Sequence, residues 1–372
     1  MNEKSGHSRR EFIEGALAAG AAFVFAGVVQ GNEKSYSLGD FGIPLTTQTI
    51  TGPNDNCYWV GFSPINDRVA FVSGISDRRS LYVSRLGQPE SFDLLWEPTS
   101  DSSVIKTLAW SPNGQEIAFL VQTVNDQTSP KSAKNSIYLV NVVSRAIREP
   151  IIIGENINRL LGQNENATYK NDLSWWGNSY VCVPANDGGV LKFDKFTGQS
   201  DILISPQDGT FISSIALTRS GELRFVKAKG IETNKDVEFY VGGLRQDSTI
   251  CDYGNLNQQF GQIFSVRLSQ DGEYVFVQKH GAPPKSLQAF LPITHLIYKI
   301  ETHSIIGQIP AVVDTQKDMY MYMPLAVKND NELIFIEAFS PELDGSNSYR
   351  NPIMRIVQMS ISPEKQYRTG ED

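Results

Sequence analysis

The amino-acid sequence predicts an all-β chain, a six-bladed β-propeller of four-stranded antiparallel blades whose ring is closed by an N-terminal strand. Three observations predict it. A hairpin unit recurs six times: an apolar strand ending in a bulky residue, a polar turn and a second apolar strand, clearest in Leu108-Ala109-Trp110-Ser111-Pro112-Asn113-Gly114-Gln115-Glu116-Ile117-Ala118-Phe119-Leu120. Repetition on this scale signals stacked supersecondary units rather than one irregular core. A further pair of short strand-like segments follows in most units, and helical periodicity is nearly absent, so each unit reads as one blade.

In chain order, the first strands end at Phe62, Trp110, Trp175, Leu217, Leu268 and Val327. Turn residues follow: Asn66-Asp67, Asn113-Gly114, Gly177-Asn178, Ser220-Gly221, Asp271-Gly272 and Asp330-Asn331. These residue types supply the positive φ of tight hairpins. The returning strands are 69–72, 117–121, 180–183, 223–226, 274–277 and 333–336, rich in β-branched and aromatic residues. Third strands are expected at 80–84, 136–141, 190–194, 237–241, 296–300 and 354–359, and outer strands at 202–204 and 305–309. One short helix is expected at 156–162. The segment 44–50 is a spare strand ahead of the first unit. Paired into the last blade, it seals the ring and removes an open sheet edge.

The domain plan is a leader over 1–31, a propeller over 44–361 and a tail over 362–372. Of the 372 residues, 20% are charged and 40% hydrophobic, the balance of a globular chain with a large core. The formal net charge of −8 argues against nucleic acid as a partner, because phosphate binding needs a concentrated basic surface. Cys57, Cys182 and Cys251 lie in different units and form no CxxC pair, so they mark no zinc, haem or dithiol site. They read as small buried hydrophobes, with a disulfide as the alternative.

The leader joins His7-Ser8-Arg9-Arg10-Glu11-Phe12-Ile13 to an uncharged apolar run over 15–29. A basic region followed by a short apolar one is the plan of an export signal, too short to span a bilayer comfortably. With Ser8, Arg9, Arg10, Phe12 and Ile13 in order, it resembles the twin-arginine export signal; Glu14 departs from the lysine often found there. The resemblance implies folded export by the twin-arginine machinery to the periplasm or beyond. Cleavage after Ala26 leaves a mature chain without a transmembrane domain, and retention as an anchor is the alternative.

The Trp110-Ser111-Pro112-Asn113-Gly114 turn with Ile117-Ala118-Phe119 resembles the repeats of TolB-type propellers. Phe62-Ser63-Pro64 with Val69-Ala70-Phe71, and Leu268-Ser269 with Asp271-Gly272, match as well, whereas the units around Trp175 and Val327 depart from the pattern. The resemblance covers roughly 45–361 and implies fold. Its members include envelope scaffolds, the gating propellers of prolyl-oligopeptidase-like peptidases, and lyases. The peptidase branch lacks support here: no G-x-S-x-G elbow occurs.

No catalytic motif, cofactor motif or metal-ligand spacing stands out. His280, His295 and His303 share the fifth unit, but the last two bracket a strand and point to its two ends. Acidic turns such as 54–56 and 329–332 lack the ligand alternation of a calcium loop. The connections between second and third strands carry more information, because they share a face with the blade-to-blade links and are long at 122–135, 280–294 and 338–352. On or beside such connections fall Arg78, Arg79, Lys131, Lys134, Lys227, Lys229, Lys235, Lys279, Lys285 and Arg350, with His295 nearby. Arg78, Arg79, Lys131, Lys134, Lys285, His295 and Arg350 are the expected ligand-binding residues, a positive funnel for an anionic group on an acidic chain. The expected function is a non-catalytic envelope binder or scaffold for a protein partner or anionic glycan. The alternative is an exported hydrolase or lyase with its site at the channel mouth.

Overall fold

The structure is a computed structural model. It describes residues 47–49, 57–75, 78–85, 88–100, 103–125, 132–153, 172–185, 188–205, 207, 209–230, 237–280, 293–310, 312–314, 318–328, 332–341 and 353–360. The leader, the segment 156–162, Lys131, Lys285 and Arg350 lie outside the described residues.

The described chain is an all-β propeller of four-stranded antiparallel blades. After β1 (Thr47–Thr49), the first blade comprises β2 (Cys57–Phe62), β3 (Arg68–Ile75), β4 (Arg78–Arg85) and β5 (Gln88–Trp96). The second comprises β6 (Ser103–Trp110), β7 (Glu116–Asn125), β8 (Ser132–Asn141) and β9 (Ile151–Ile152). The third holds β10 (Ser174–Trp176), β11 (Tyr180–Pro184), β12 (Val190–Asp194) and β13 (Ser200–Ile204), and the fourth β14 (Thr210–Leu217), β15 (Leu223–Lys229), β16 (Glu238–Leu244) and β17 (Ile250–Asn255). A one-turn helix, α1 (Leu256–Phe260), leads into the fifth: β18 (Ser265–Leu268), β19 (Tyr274–His280), β20 (Ile293–Lys299) and β21 (Ser304–Pro310). The remaining strands, β22 (Val312–Asp314), β23 (Asp318–Lys328), β24 (Glu332–Pro341) and β25 (Ile353–Ser360), form a further sheet in the order β1-β25-β24-β23-β22. There Thr47, Gln48 and Thr49 lie opposite Met359, Gln358 and Val357, the pairing expected of the spare N-terminal strand.

Blades hold together because strand alternation sends apolar residues to both faces, each packing on a neighbouring blade. Ala70, Val72 and Leu81 of the first blade pack with Ile105, Trp110 and Phe119 of the second. The opposite face of the second blade, with Leu120 and Ile137, packs on Trp175 and Val181 of the third. The core is thus a series of interfaces between blades. Two indoles fasten the inner strands: Trp110 Nε1 donates to the Gly61 carbonyl at 2.8 Å and Trp175 Nε1 to the Ala109 carbonyl at 3.1 Å. Each anchor thereby bonds the residue preceding the previous blade's anchor.

The recurrent turn has a recurrent wiring. Ser111 Oγ donates to Asn113 Oδ1 at 2.8 Å and accepts from Glu116 N at 2.9 Å. In the fifth blade Ser269 Oγ donates to Asp271 Oδ1 at 2.6 Å and accepts from Tyr274 N at 3.0 Å. Thr218 and Glu222 repeat the second bond at 3.0 Å. Gly114 has φ 63°, and a Cβ there would come within 2.5 Å of the Ile65 side chain in the preceding blade. Glycine is therefore required for both backbone and interblade contact.

Sequence reading did not show two devices. Register shifts in the innermost strands of the first, second and fourth blades leave Tyr58, Lys106 and Ser213 as bulged residues, each four positions before its anchor Phe62, Trp110 or Leu217. A bulge adds a residue to one strand and re-aims its side chain. The second device is Gln270, in the turn of the fifth blade. Its Oε1 accepts from Phe62 N at 2.8 Å, and its Nε2 donates to the Val60 carbonyl, so one amide pairs with the edge of β2 some 208 residues away in sequence.

α1 is a further addition to the expected elements. Asn255 caps it by accepting from Asn257 N at 2.8 Å and Gln258 N at 3.3 Å, and Leu256 and Phe260 bury its inner side. Five residues are too few to show helical periodicity. Cys182 and Cys251 are free thiols, and burial pushes the Cys182 thiol up, far from thiolate. Cys182 fits the reading as a small hydrophobe.

Candidate functional site

Hairpin turns within the blades gather at one end of the strands, which we call the turn face. The strand ends that lead to the second-to-third and blade-to-blade connections lie at the other, the loop face. Arg78 and Arg79 open β4 opposite Ile75 and Gly74, with only 76–77 intervening. They belong to a ladder at the loop face rather than to a loop, and Arg79 is half-buried. Lys134 lies opposite Thr123 and is exposed. The long connection expected at 122–135 is shorter, because β7 runs to Asn125 and β8 starts at Ser132.

His295 sits in β20 opposite Gln278 and is 8% exposed. His303 lies at the far end of that blade, where Tyr298 Oη and His303 Nδ1 are 2.8 Å apart. Lys227 and Lys279 have local bonds: Lys227 Nζ donates to Gln207 Oε1 at 2.9 Å and Lys279 Nζ to the Phe260 carbonyl at 2.7 Å. Arg79, Lys134 and His295 each lie near the loop-face end of a third strand, Lys134 exposed, Arg79 half-buried and His295 buried.

The residue that sequence reading missed is Lys106. It is the bulged residue of β6, half-buried, and β6 touches β4 of the preceding blade. Its amine is held below the ordinary lysine range, first by burial and second by the Arg79 guanidinium. Among the described residues, no carboxylate pairs with it and no acceptor takes its protons. Its sequence signal was slight: a single lysine within Ser103-Val104-Ile105-Lys106-Thr107-Leu108-Ala109-Trp110, an otherwise uncharged inner strand.

Carboxylates of the same face have work of their own. Asp172 Oδ2 accepts from Ser214 Oγ at 2.8 Å and from Ile215 N at 3.2 Å, and Ser214 Oγ accepts from Leu268 N at 3.2 Å. This chain links the inner strands of the third, fourth and fifth blades. Glu238 accepts from Tyr240 Oη, which holds the phenol above its ordinary range. Among the described residues, no three His, Cys, Asp or Glu side chains converge as a metal site, and no helix is long and apolar enough to cross a membrane. The arrangement can do one thing well: present a guanidinium and an uncompensated amine to an anion.

No protein-family profile matches the chain. No curated protein matches it either. Among solved structures, it is similar to an oligogalacturonate lyase in complex with manganese, at TM-score 0.45 and 9% identity over 86% of this chain and 97% of the other. An oligogalacturonate lyase from Vibrio parahaemolyticus gives TM-score 0.45 and 10% identity over 86% and 98%. Prolyl oligopeptidase B from Galerina marginata, bound to a 35mer substrate, gives 0.43 and 12% over 75% and 38%. Likeness this distant says nothing of chemistry.

Proposed function

We propose that this chain is an exported propeller whose loop face binds, without catalysis, an anionic group carried by an envelope protein or an anionic glycan. One observation carries the reading: Lys106 is a half-buried amine beside Arg79 with no carboxylate partner among the described residues. Burial and a like charge both work against the ammonium, and a bound anion relieves the second directly. Lys134 extends the positive rim, with Arg78, Lys131, Lys285 and Arg350 as its proposed continuation. The acidic chain as a whole disfavours nucleic acid.

In this reading the ring has six blades. The five-stranded sheet takes the position between the fifth blade and the first, supported by contacts of β25 with β2 and of β23 with β19. Then β1 closes the ring as that sheet's outer strand. The address rests on Arg9, Arg10 and Phe12. Replacing Arg9 and Arg10 together by lysine should abolish export to the periplasm; unchanged export removes the twin-arginine route.

The binding test is retention on immobilised carboxymethyl-dextran against unmodified dextran. Wild-type chain is retained by the first, with retention falling as salt rises, and Arg79→Gln with Lys106→Gln is not. Equal behaviour on both matrices refutes the reading. The alternative, an exported hydrolase or lyase, draws on the same residue, since an amine held below its ordinary range is more often unprotonated at neutral pH and so available as a general base. New chain ends generated from an anionic polysaccharide, and lost with Lys106→Gln, would favour it.

A further inference from the structure

We propose that Lys106 is also an amine nucleophile, forming a reversible imine with the carbonyl of a small oxo acid at the loop face. This rests on the anion-binding reading above, because Arg79 and Lys106 draw in the acid group, but it asks more of Lys106 than charge.

The geometry singles this lysine out. Of the described amines on the face, Lys227 and Lys279 donate to Gln207 and to the Phe260 carbonyl. Lys134 and Lys229 are exposed. Lys106 is half-buried and stands at a bulge between Ile105 and Thr107, which pair with Val121 and Leu120 on β7. The stem therefore leaves a backbone clamped on both sides by ladder pairs. Among the described residues its Nζ has no carboxylate or other acceptor to hold it as the ammonium. A lysine attacks carbonyl carbon only as the free amine, and enzymes obtain that form by desolvation or by a neighbouring cation. Both are present here, burial acting more strongly than Arg79.

The step balances without a further reagent. The Nζ lone pair attacks the carbonyl carbon, the resulting carbinolamine loses the former carbonyl oxygen as water with the two amine protons, and a carbon–nitrogen double bond remains. Water reverses it.

The test uses full-length protein with glyoxylate and sodium cyanoborohydride, which supplies hydride to fix the imine as a carboxymethyl-amine, followed by peptide mapping. Lys106 should be labelled several-fold faster than Lys134 or Lys229. Equal rates at the three, or an unlabelled Lys106, overturn the proposal. Lys106→Arg keeps the positive charge and should lose the label while retention on carboxymethyl-dextran persists; a label at an unchanged total rate overturns the assignment. Arg79→Gln should slow Lys106 labelling severalfold at an unchanged thermal midpoint, and an unchanged rate refutes the role of the pair. Wild-type retention without selective labelling refutes the imine alone, whereas labelling without retention refutes the anion-binding reading.

Discussion

Gln270→Ala tests how the fifth blade is held to the first. The wild-type side chain accepts from Phe62 N at 2.8 Å and donates to the Val60 carbonyl, replacing a missing strand along the inner edge of β2. Each bond contributes about 1 kcal/mol net, and a buried polar group left without a partner costs about 1–3 kcal/mol. Val60 is 4% exposed, so water cannot readily replace the amide there, whereas half-buried Phe62 recovers part of its loss. The expected destabilisation is therefore about 2–3 kcal/mol, a roughly 30- to 140-fold change at 1.4 kcal/mol per tenfold. Hydrogen exchange at the Phe62 amide reads it directly, and urea unfolding reads the global share. Gln270→Glu keeps an acceptor for Phe62 N but sets a carboxylate oxygen against the Val60 carbonyl, so it should cost at least as much. Unchanged Phe62 protection in both variants would refute the bridge.

Other outcomes follow from the same contacts. Glu116 accepts from Lys195 Nζ at 2.5 Å, with both side chains 9% exposed. Lys195→Met should destabilise in urea unfolding by less than the roughly 3–5 kcal/mol of a fully orphaned buried charge, because an Arg148 guanidinium nitrogen stays 3.3 Å from Glu116 Oε1, and Glu116→Leu added to it should recover most of the loss. Glu273 is raised above its ordinary range mainly by burial. A carboxyl whose folded pKa exceeds its unfolded value adds stability below the unfolded value of 4.5, lost as pH rises through the folded one. Glu273→Gln should flatten the urea midpoint across that window; an unchanged slope counts against it. Lys106 is shifted the other way, so the folded state disfavours its charge at neutral pH. Lys106→Met should leave stability unchanged or raise it while anion retention falls, and a clear destabilisation would contradict a binding role. Cys251 should react with a thiol reagent in the native protein, and Cys182 only on unfolding.

Blade strands were legible because each carries its own alternation, and the turns because Asn113-Gly114 and Asp271-Gly272 need positive φ whatever surrounds them. The spare strand at 44–50 was legible as an edge problem, and Thr47–Thr49 pairs where that reasoning placed it. The candidate site was less so. Arg79 was found as part of a basic rim, but its half-buried place on β4 was not, and neither was the burial of His295 on β20.

Sequence alone determined the local grammar of this protein: which segments extend and where the chain reverses. Tertiary structure decided which residues meet. Lys106 gained its character from a bulge in β6 and a guanidinium on the preceding blade, and Gln270 its role from Val60 and Phe62 about two hundred residues earlier. Periodicity reports on neighbours two residues apart, whereas desolvation and charge act through space, between blades that adjoin only when the sheets pack.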